Sequence, residues 1–179
     1  MWKAEAEIVT DAQTSCETLY REQYLRILRL CRLILLDAQE AEEVTQEVFE
    51  KLLRQWRADP VIRSWEAWLT RVAVNACRDR RRSGWWKWWR NGRIESLSEE
   101  PLPSQATPED HVLCQEQQRR LWERFRKLSP RQREVFVMRR LEGLSTEETA
   151  RLLALTTGSV KRHLFLAMQH LHAAFGDHP

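Results

Sequence analysis

The sequence predicts an all-α protein: two small helical domains joined by a flexible linker. Three observations carry that expectation. Glycine and proline are scarce, at five and six of 179 residues, while Leu, Arg, Glu, Gln and Ala abound. Apolar residues recur at helical spacing, and no alternation of useful length suggests a strand. Residues 94–111 interrupt the pattern with three prolines, several Ser/Thr and only acidic charge, which reads as a linker.

The elements follow in order after a polar tail, residues 1–18. Residues 19–36, "LYREQYLRILRLCRLILL", form a strongly apolar helix that carries Arg21, Arg26, Arg29 and Arg32. After "DAQE" a second helix begins, with its apolar positions read within 39–56. Its Ala41, Val44, Val48, Phe49, Leu52, Leu53 and Trp56 make a core stripe, and Pro60 ends it. Ser64 caps a third helix, whose core positions are Trp65, Trp68, Leu69, Val72, Ala73 and Ala76. Beyond the linker, a helix at 112–128 brings Leu121, Trp122, Phe125 and Leu128 to one side. "SPRQ" at 129–132 then predicts a capping box, with Ser129 as N-cap, Pro130 at N1 and Gln132 at N3. Gly143 stops that helix. Ser145 and Glu148 form a second box, and the last helix runs from about Thr157 to about Phe175. The domains are therefore 19–93 and 112–179.

Bulk properties exclude several function classes. No glycine-rich phosphate loop, nucleophile motif or metal-ligand spacing is present, so neither an enzyme nor a cofactor or metal site is expected. Cys16, Cys31, Cys77 and Cys114 form no Cys-x-x-Cys pair and read as free thiols in a reducing cytosol. His170 and His172, two apart on a helix, are poorly placed for joint ligation. The N-terminal stretch is polar and the longest apolar run is only "LILL", so a soluble, cytoplasmic protein is expected.

Charge is distributed unevenly. Residues 74–93 hold seven Arg/Lys and one Asp, whereas 94–116 hold five Glu and one Asp with no Lys or Arg. On the third helix Arg71, Asn75, Arg78 and Arg82 fall at i, +4, +7 and +11, opposite the core stripe. Arg neutralises phosphate and Asn both donates to and accepts from base edges, so this face suits nucleic acid; a solvated cationic face is the alternative. The second helix presents Glu40, Glu43, Glu47 and Glu50, with Gln46 beside them. Like charges at that spacing repel, so the stripe is not expected to stabilise the helix. It suits either solvent or a basic protein partner.

Residues 143–171 read as two short helices around a tight turn at 154–156. Thr149, Ala150 and Leu153 face Val160, Leu164, Ala167, Met168 and Leu171. The outer side presents Thr157, Ser159, Lys161, Arg162, His163 and Phe165. This is helix-turn-helix patterning, in which the second helix enters the major groove. An ordinary helical hairpin with a basic face is the alternative. "RRRSGWWKWWRNGR" at 80–93 holds four of the nine tryptophans, Trp85, Trp86, Trp88 and Trp89. Such a segment suits a membrane surface, stacked nucleic-acid bases or a partner.

Three blocks together resemble a known family. "DAQEAEEVTQEVFEKLLRQW" is similar to region 2.2 of the extracytoplasmic-function (ECF, group IV) sigma factors of bacterial RNA polymerase. "SWEAWLTRVAVNACRDRRR" resembles regions 2.3 and 2.4, and "LSPRQREVFVMRRLEGLSTEETARLLALTTGSVKRHL" resembles region 4. The resemblance implies that Glu43, Gln46, Glu47 and Glu50 dock the clamp helices of the largest core-polymerase subunit, whose flap is a further partner. It implies that Trp65 and Trp68 border the melting −10 element and that Arg71, Asn75, Arg78, Asp79 and Arg82 face −10 DNA. It implies that Thr157, Ser159, Lys161, Arg162, His163 and Phe165 read the −35 element of promoter DNA. Catalysis would belong to the core enzyme, and an anti-sigma factor, often membrane-bound in this family, is an expected inhibitor. The tryptophan segment then reads as an interface leading into the connector. The sequence departs from the family at Ala154, where glycine is frequent, at Thr156, where proline is frequent, and at Leu166, often arginine. "LSPRQREV" before a helix-turn-helix also resembles LuxR-type regulators, which usually carry a sheet-containing domain ahead of it.

Overall fold

The structure, a computed structural model, describes residues 16–58, 62, 64–91 and 108–173, with side chains given outside 84–116. Most of the expected tail, linker residues 94–107, and the side chains of Trp85, Trp86, Trp88, Trp89 and Cys114 lie outside the described residues. Among the described residues there are seven helices and no strand. The chain divides into two units, Met1–Glu95 and Ser96–Pro179.

The first unit packs α1 (Cys16–Leu35), α2 (Ala38–Ala58) and α3 (Trp65–Asn91) against one another. Helix α1 stops where Leu36 turns left-handed, at φ 60, and its N–H donates to the Arg32 carbonyl at 2.9 Å. Helix α2 begins inside "DAQE", earlier than expected. The Asp37 carboxylate accepts the Glu40 N–H at 2.8 Å, so Asp37 is the cap and Ala38–Glu40 form the first turn. Ser64 caps α3 as its sequence indicates, accepting the Ala67 N–H at 3.2 Å.

The core of this unit consists of Ile27, Leu30, Cys31 and Ile34 from α1, Ala41, Val44, Val48, Phe49 and Leu52 from α2, and Leu69, Ala73, Val74, Ala76 and Cys77 from α3. A fully buried leucine of this kind contributes about 1.5–3 kcal/mol relative to an exposed one. Leu53 departs from the expected stripe and is 49% exposed. It lies about 100° of helix rotation beyond Leu52, which carries it past the edge of the buried arc. Trp56, Trp65 and Trp68 are half-buried rather than enclosed, and their rings cluster, Trp56 tilted against Trp65 at 4.9 Å and Trp65 edge-on to Trp68 at 5.6 Å between centroids.

Arg26 ties α1 to the start of α3, donating to Thr70 Oγ1 at 3.1 Å and to the Glu66 carbonyl at 3.3 Å. Cys31 and Cys77 meet in the core as free thiols, and Cys16 is half-buried. A hydrogen bond with Cys77 holds the Cys31 thiol below its ordinary pKa against the opposing effect of burial.

The second unit holds α4 (Pro108–Lys127), α5 (Pro130–Phe136), α6 (Thr146–Leu153) and α7 (Thr157–His172). Helix α4 starts four residues earlier than expected, with Pro108 as its first residue, a position where a missing N–H costs nothing. Both predicted capping boxes are present. Ser129 and Gln132 exchange backbone-to-side-chain bonds at the start of α5, and Ser145 and Glu148 do so before α6. Helix α5 continues through a π turn, Val137–Leu141, and the chain reverses at Gly143, whose φ of +71 suits glycine. Phe125, Leu128, Val135, Val137, Met138, Ala150, Leu153, Val160, Ala167 and Leu171 form the core. Glu134 is also fully enclosed, paired with Arg131 at 3.0 Å.

Candidate functional site

Helix α2 carries its carboxylates along the side away from the core. Gln46 and Glu50 are exposed and reach a cavity of about 460 Å³, which Tyr20, Tyr24, Phe49 and Leu53 also line. Glu43 and Glu47 lie one turn earlier, and each side chain is 47% exposed. The expectation that this stripe does nothing for the fold is corrected by Arg80 of α3. Its Nη1 donates to Glu40 at 2.8 Å and to Glu43 at 2.6 Å, and its Nη2 donates to Glu47. Three carboxylates that would repel one another by a few tenths of a kcal/mol per pair thus share one guanidinium. At this exposure each ion pair contributes on the order of 0.5 kcal/mol, enough to reverse the sign. The carboxylates hold the Arg80 guanidinium above its ordinary pKa, Glu43 most strongly.

Arg80 was not among the residues that spacing singled out. It sits between Arg78 and Arg82 in a run of basic residues, yet it belongs to the opposite face. Leu69, Ala73, Ala76 and Arg80 follow i, +4, +7 and +11, so Arg80 extends the buried side of α3 toward α2. The second series, Arg71, Asn75, Arg78 and Arg82, repeats that spacing on the outer side. Arg71, Asn75 and Arg82 are exposed and Arg78 is half-buried. Asp79 is exposed beside them, 4.0 Å from Arg82. Trp65 and Trp68 lie at the N-terminal end of the same helix within the tryptophan cluster. One three-helix unit therefore presents a carboxylate ridge on α2 and a basic, amide-bearing face on α3.

In the second unit, α6 and α7 pack as a helix pair around a turn in which Ala154 is left-handed, φ 51 and ψ 52. Thr156, a departure from the resembled family's pattern, is the N-cap of α7. Its Oγ1 accepts the Ser159 N–H at 3.1 Å and donates to the Ser159 hydroxyl at 3.0 Å. The Ser159 hydroxyl is thus drawn into the cap and the residue is half-buried. Thr157, Lys161, Arg162 and Phe165 are exposed, Phe165 to 66%. His163 differs from its expected outward placement. It is half-buried, and its Nδ1 is enclosed without a hydrogen-bond partner. Three residues after Val160, it stands only about 60° from the centre of the buried stripe. Gly158, Arg162 and Phe165 share the outward face at i, +4 and +7. A Cβ on Gly158 would meet only Thr156 Oγ1, at 3.9 Å, so the bare backbone there faces open space.

Among the described residues, no group of three or more His, Cys, Asp or Glu side chains is arranged to hold a metal ion. No helix among them is long and apolar enough to cross a membrane.

Residues 19–87 match the family described as Sigma-70 region 2, and residues 118–171 match Sigma-70, region 4. The "RNA polymerase sigma-E factor" of Streptomyces coelicolor is 32% identical over 161 residues, which cover 87% of this chain and 85% of that protein. The "ECF RNA polymerase sigma factor SigW" of Bacillus subtilis is 25% identical over 172 residues, covering 93% and 90%. Among solved structures, the fold is similar to the sigma factor RpoE of Bartonella quintana, crystallised with the anti-sigma factor NepR. That likeness has a TM-score of 0.65 at 19% identity, covering 89% of this chain and 98% of that one.

Proposed function

From the premise that the chain belongs to the sigma-70 family, in its ECF group, we propose a division of labour among its surfaces. The chain is a transcription initiation factor that binds core RNA polymerase and directs it to promoters, and it is not an enzyme. Glu43, Gln46, Glu47 and Glu50 of α2 form the surface that docks the clamp helices of the largest polymerase subunit, with the flap as a second contact. Arg71, Asn75, Arg78, Asp79 and Arg82 of α3, with Trp65 and Trp68, meet the −10 element. In the second unit, α7 enters the major groove at the −35 element through Thr157, Lys161, Arg162 and Phe165. Ser159 and His163 act at its margin, where capping and partial burial hold them. The domains are 19–93 for region 2, 94–111 for the connector and 112–179 for region 4.

The observation that carries this reading is the separation of charge within the first unit. Carboxylates on α2 and cations on the outer face of α3 allow one small domain to hold a basic protein and DNA together. A cytoplasmic location and control by an anti-sigma factor complete the proposal; the structural relative was crystallised in complex with an anti-sigma factor. A stand-alone LuxR-type regulator is not favoured, because residues 19–87 match Sigma-70 region 2 and no strand occurs among the described residues.

The test pairs two charge reversals with one truncation. Glu43→Lys with Glu47→Lys is expected to abolish co-elution with core polymerase. Arg162→Ala is expected to keep co-elution and to lose transcription from promoters that depend on a −35 element. Core binding that survives the double reversal would overturn the docking assignment.

A further inference from the structure

We propose that Arg80 is a positioning residue for polymerase docking, one that holds the α2 carboxylates in the arrangement a basic partner recognises. The inference rests on the docking assignment made above. Its starting point is geometric. Arg80 extends the buried side of α3, is only 24% exposed, and spends its two terminal nitrogens on three glutamates of another helix. Each contact engages one carboxylate oxygen: Oε2 of Glu40, Oε2 of Glu43 and Oε1 of Glu47. The second oxygen of Glu47 is left for a partner, and Gln39 Nε2 steadies that of Glu43 at 3.3 Å. A planar guanidinium spans three acceptors at once, whereas an ammonium is a single point of charge.

Two consequences follow for a basic partner. Free glutamates would repel one another and would have to lose side-chain freedom on docking; the Arg80 clamp removes both costs beforehand. The clamp also cancels one of the three negative charges, which weakens long-range steering of a cationic surface. Arg80 thus lowers the encounter rate and lengthens the life of the complex. Glu40 serves the clamp rather than the partner, since its side chain is the least exposed of the three, at 35%.

The experiment measures association and dissociation rates of the full chain on immobilised core polymerase at low and moderate salt. Arg80→Lys keeps the charge and loses the fork. It is expected to leave the association rate within about twofold while dissociation quickens about tenfold, the equivalent of about 1.4 kcal/mol of side-chain order. Arg80→Ala is expected to quicken both rates, with a steeper salt dependence of association, because the ridge becomes more negative. Glu40→Gln is expected to quicken dissociation and, by making the ridge less negative, to slow association modestly. A residue that merely stabilised the fold would lower the melting temperature without raising the association rate.

Slower dissociation in Arg80→Ala would make Arg80 a competitor of the partner and overturn the proposal, as would an unchanged dissociation rate in Arg80→Lys. Glu47→Gln in the unaltered background separates the two levels. If that variant dissociates at the original rate, the docking assignment itself fails. If it dissociates faster while Arg80→Lys does not, only the positioning role fails.

Discussion

Replacing Ala154 by glycine is expected to stabilise the helix-turn-helix unit. Ala154 sits at φ 51 and ψ 52, close to the centre of the left-handed region, and is exposed. An L-residue with a Cβ is strained there by about 1–2 kcal/mol. Glycine removes that strain but loses about 0.5–1 kcal/mol more in conformational entropy on folding. No buried area is forfeited, and the backbone bonds of the turn, Leu155 N–H to the Ala150 carbonyl at 2.9 Å among them, do not involve the side chain. The balance is a gain of about 0.5–1 kcal/mol, which in a domain of this size raises the melting temperature by about 2–8 °C. Urea and thermal unfolding of the full chain, followed by circular dichroism, measure it. Unchanged or reduced stability would refute the claim that the turn is strained at this residue.

Three further outcomes are expected. Thr149 is fully buried and its hydroxyl has no hydrogen-bond partner, so Thr149→Val should raise stability by about 1 kcal/mol in the same unfolding assay. The hydrogen bond from the Ser145 backbone holds the Glu148 carboxyl below its ordinary pKa. A carboxyl whose folded pKa is depressed stabilises above its unfolded value, about 4.3, and that contribution disappears as pH falls through the folded value. Acid titration of Glu148→Gln should therefore lack this component of pH dependence, which the original protein shows. In the polymerase complex, Arg162→Ala should reduce the slope of log affinity against log salt for promoter DNA by about one, while a substitution on the opposite face of α7 should not.

Local signals were the most legible part of the chain. Ser129 with Gln132, Ser145 with Glu148, and Ser64 each close a bond within three residues, so their geometry follows from nearest neighbours. The same holds for the left-handed turn at Gly143. Leu36 and Ala154 adopt that conformation without the residue type that advertises it, because packing of the flanking helices dictates it. Arg80 shows a different limit. Three consecutive arginines look alike in sequence, and only the register of α3 against α2 separates Arg80, bound to glutamates, from Arg82 on the outer face. Glu134 in "PRQREVF" carries a charge of the kind that usually faces solvent, yet it is sealed beside Arg131. His163 is expected on the outer side with Lys161 and Arg162, whereas its angle from Val160 turns it partly inward. For Arg80 the missing information is the position of a second helix.

The most direct test of the account is run-off transcription with purified core polymerase on genomic fragments. The chain is expected to bring core to a small set of promoters with defined −10 and −35 elements, and to bind the same DNA weakly by itself, because two small contacts need polymerase to fix their spacing. Tight promoter binding by the free chain, with no association with core and no transcript, would contradict it.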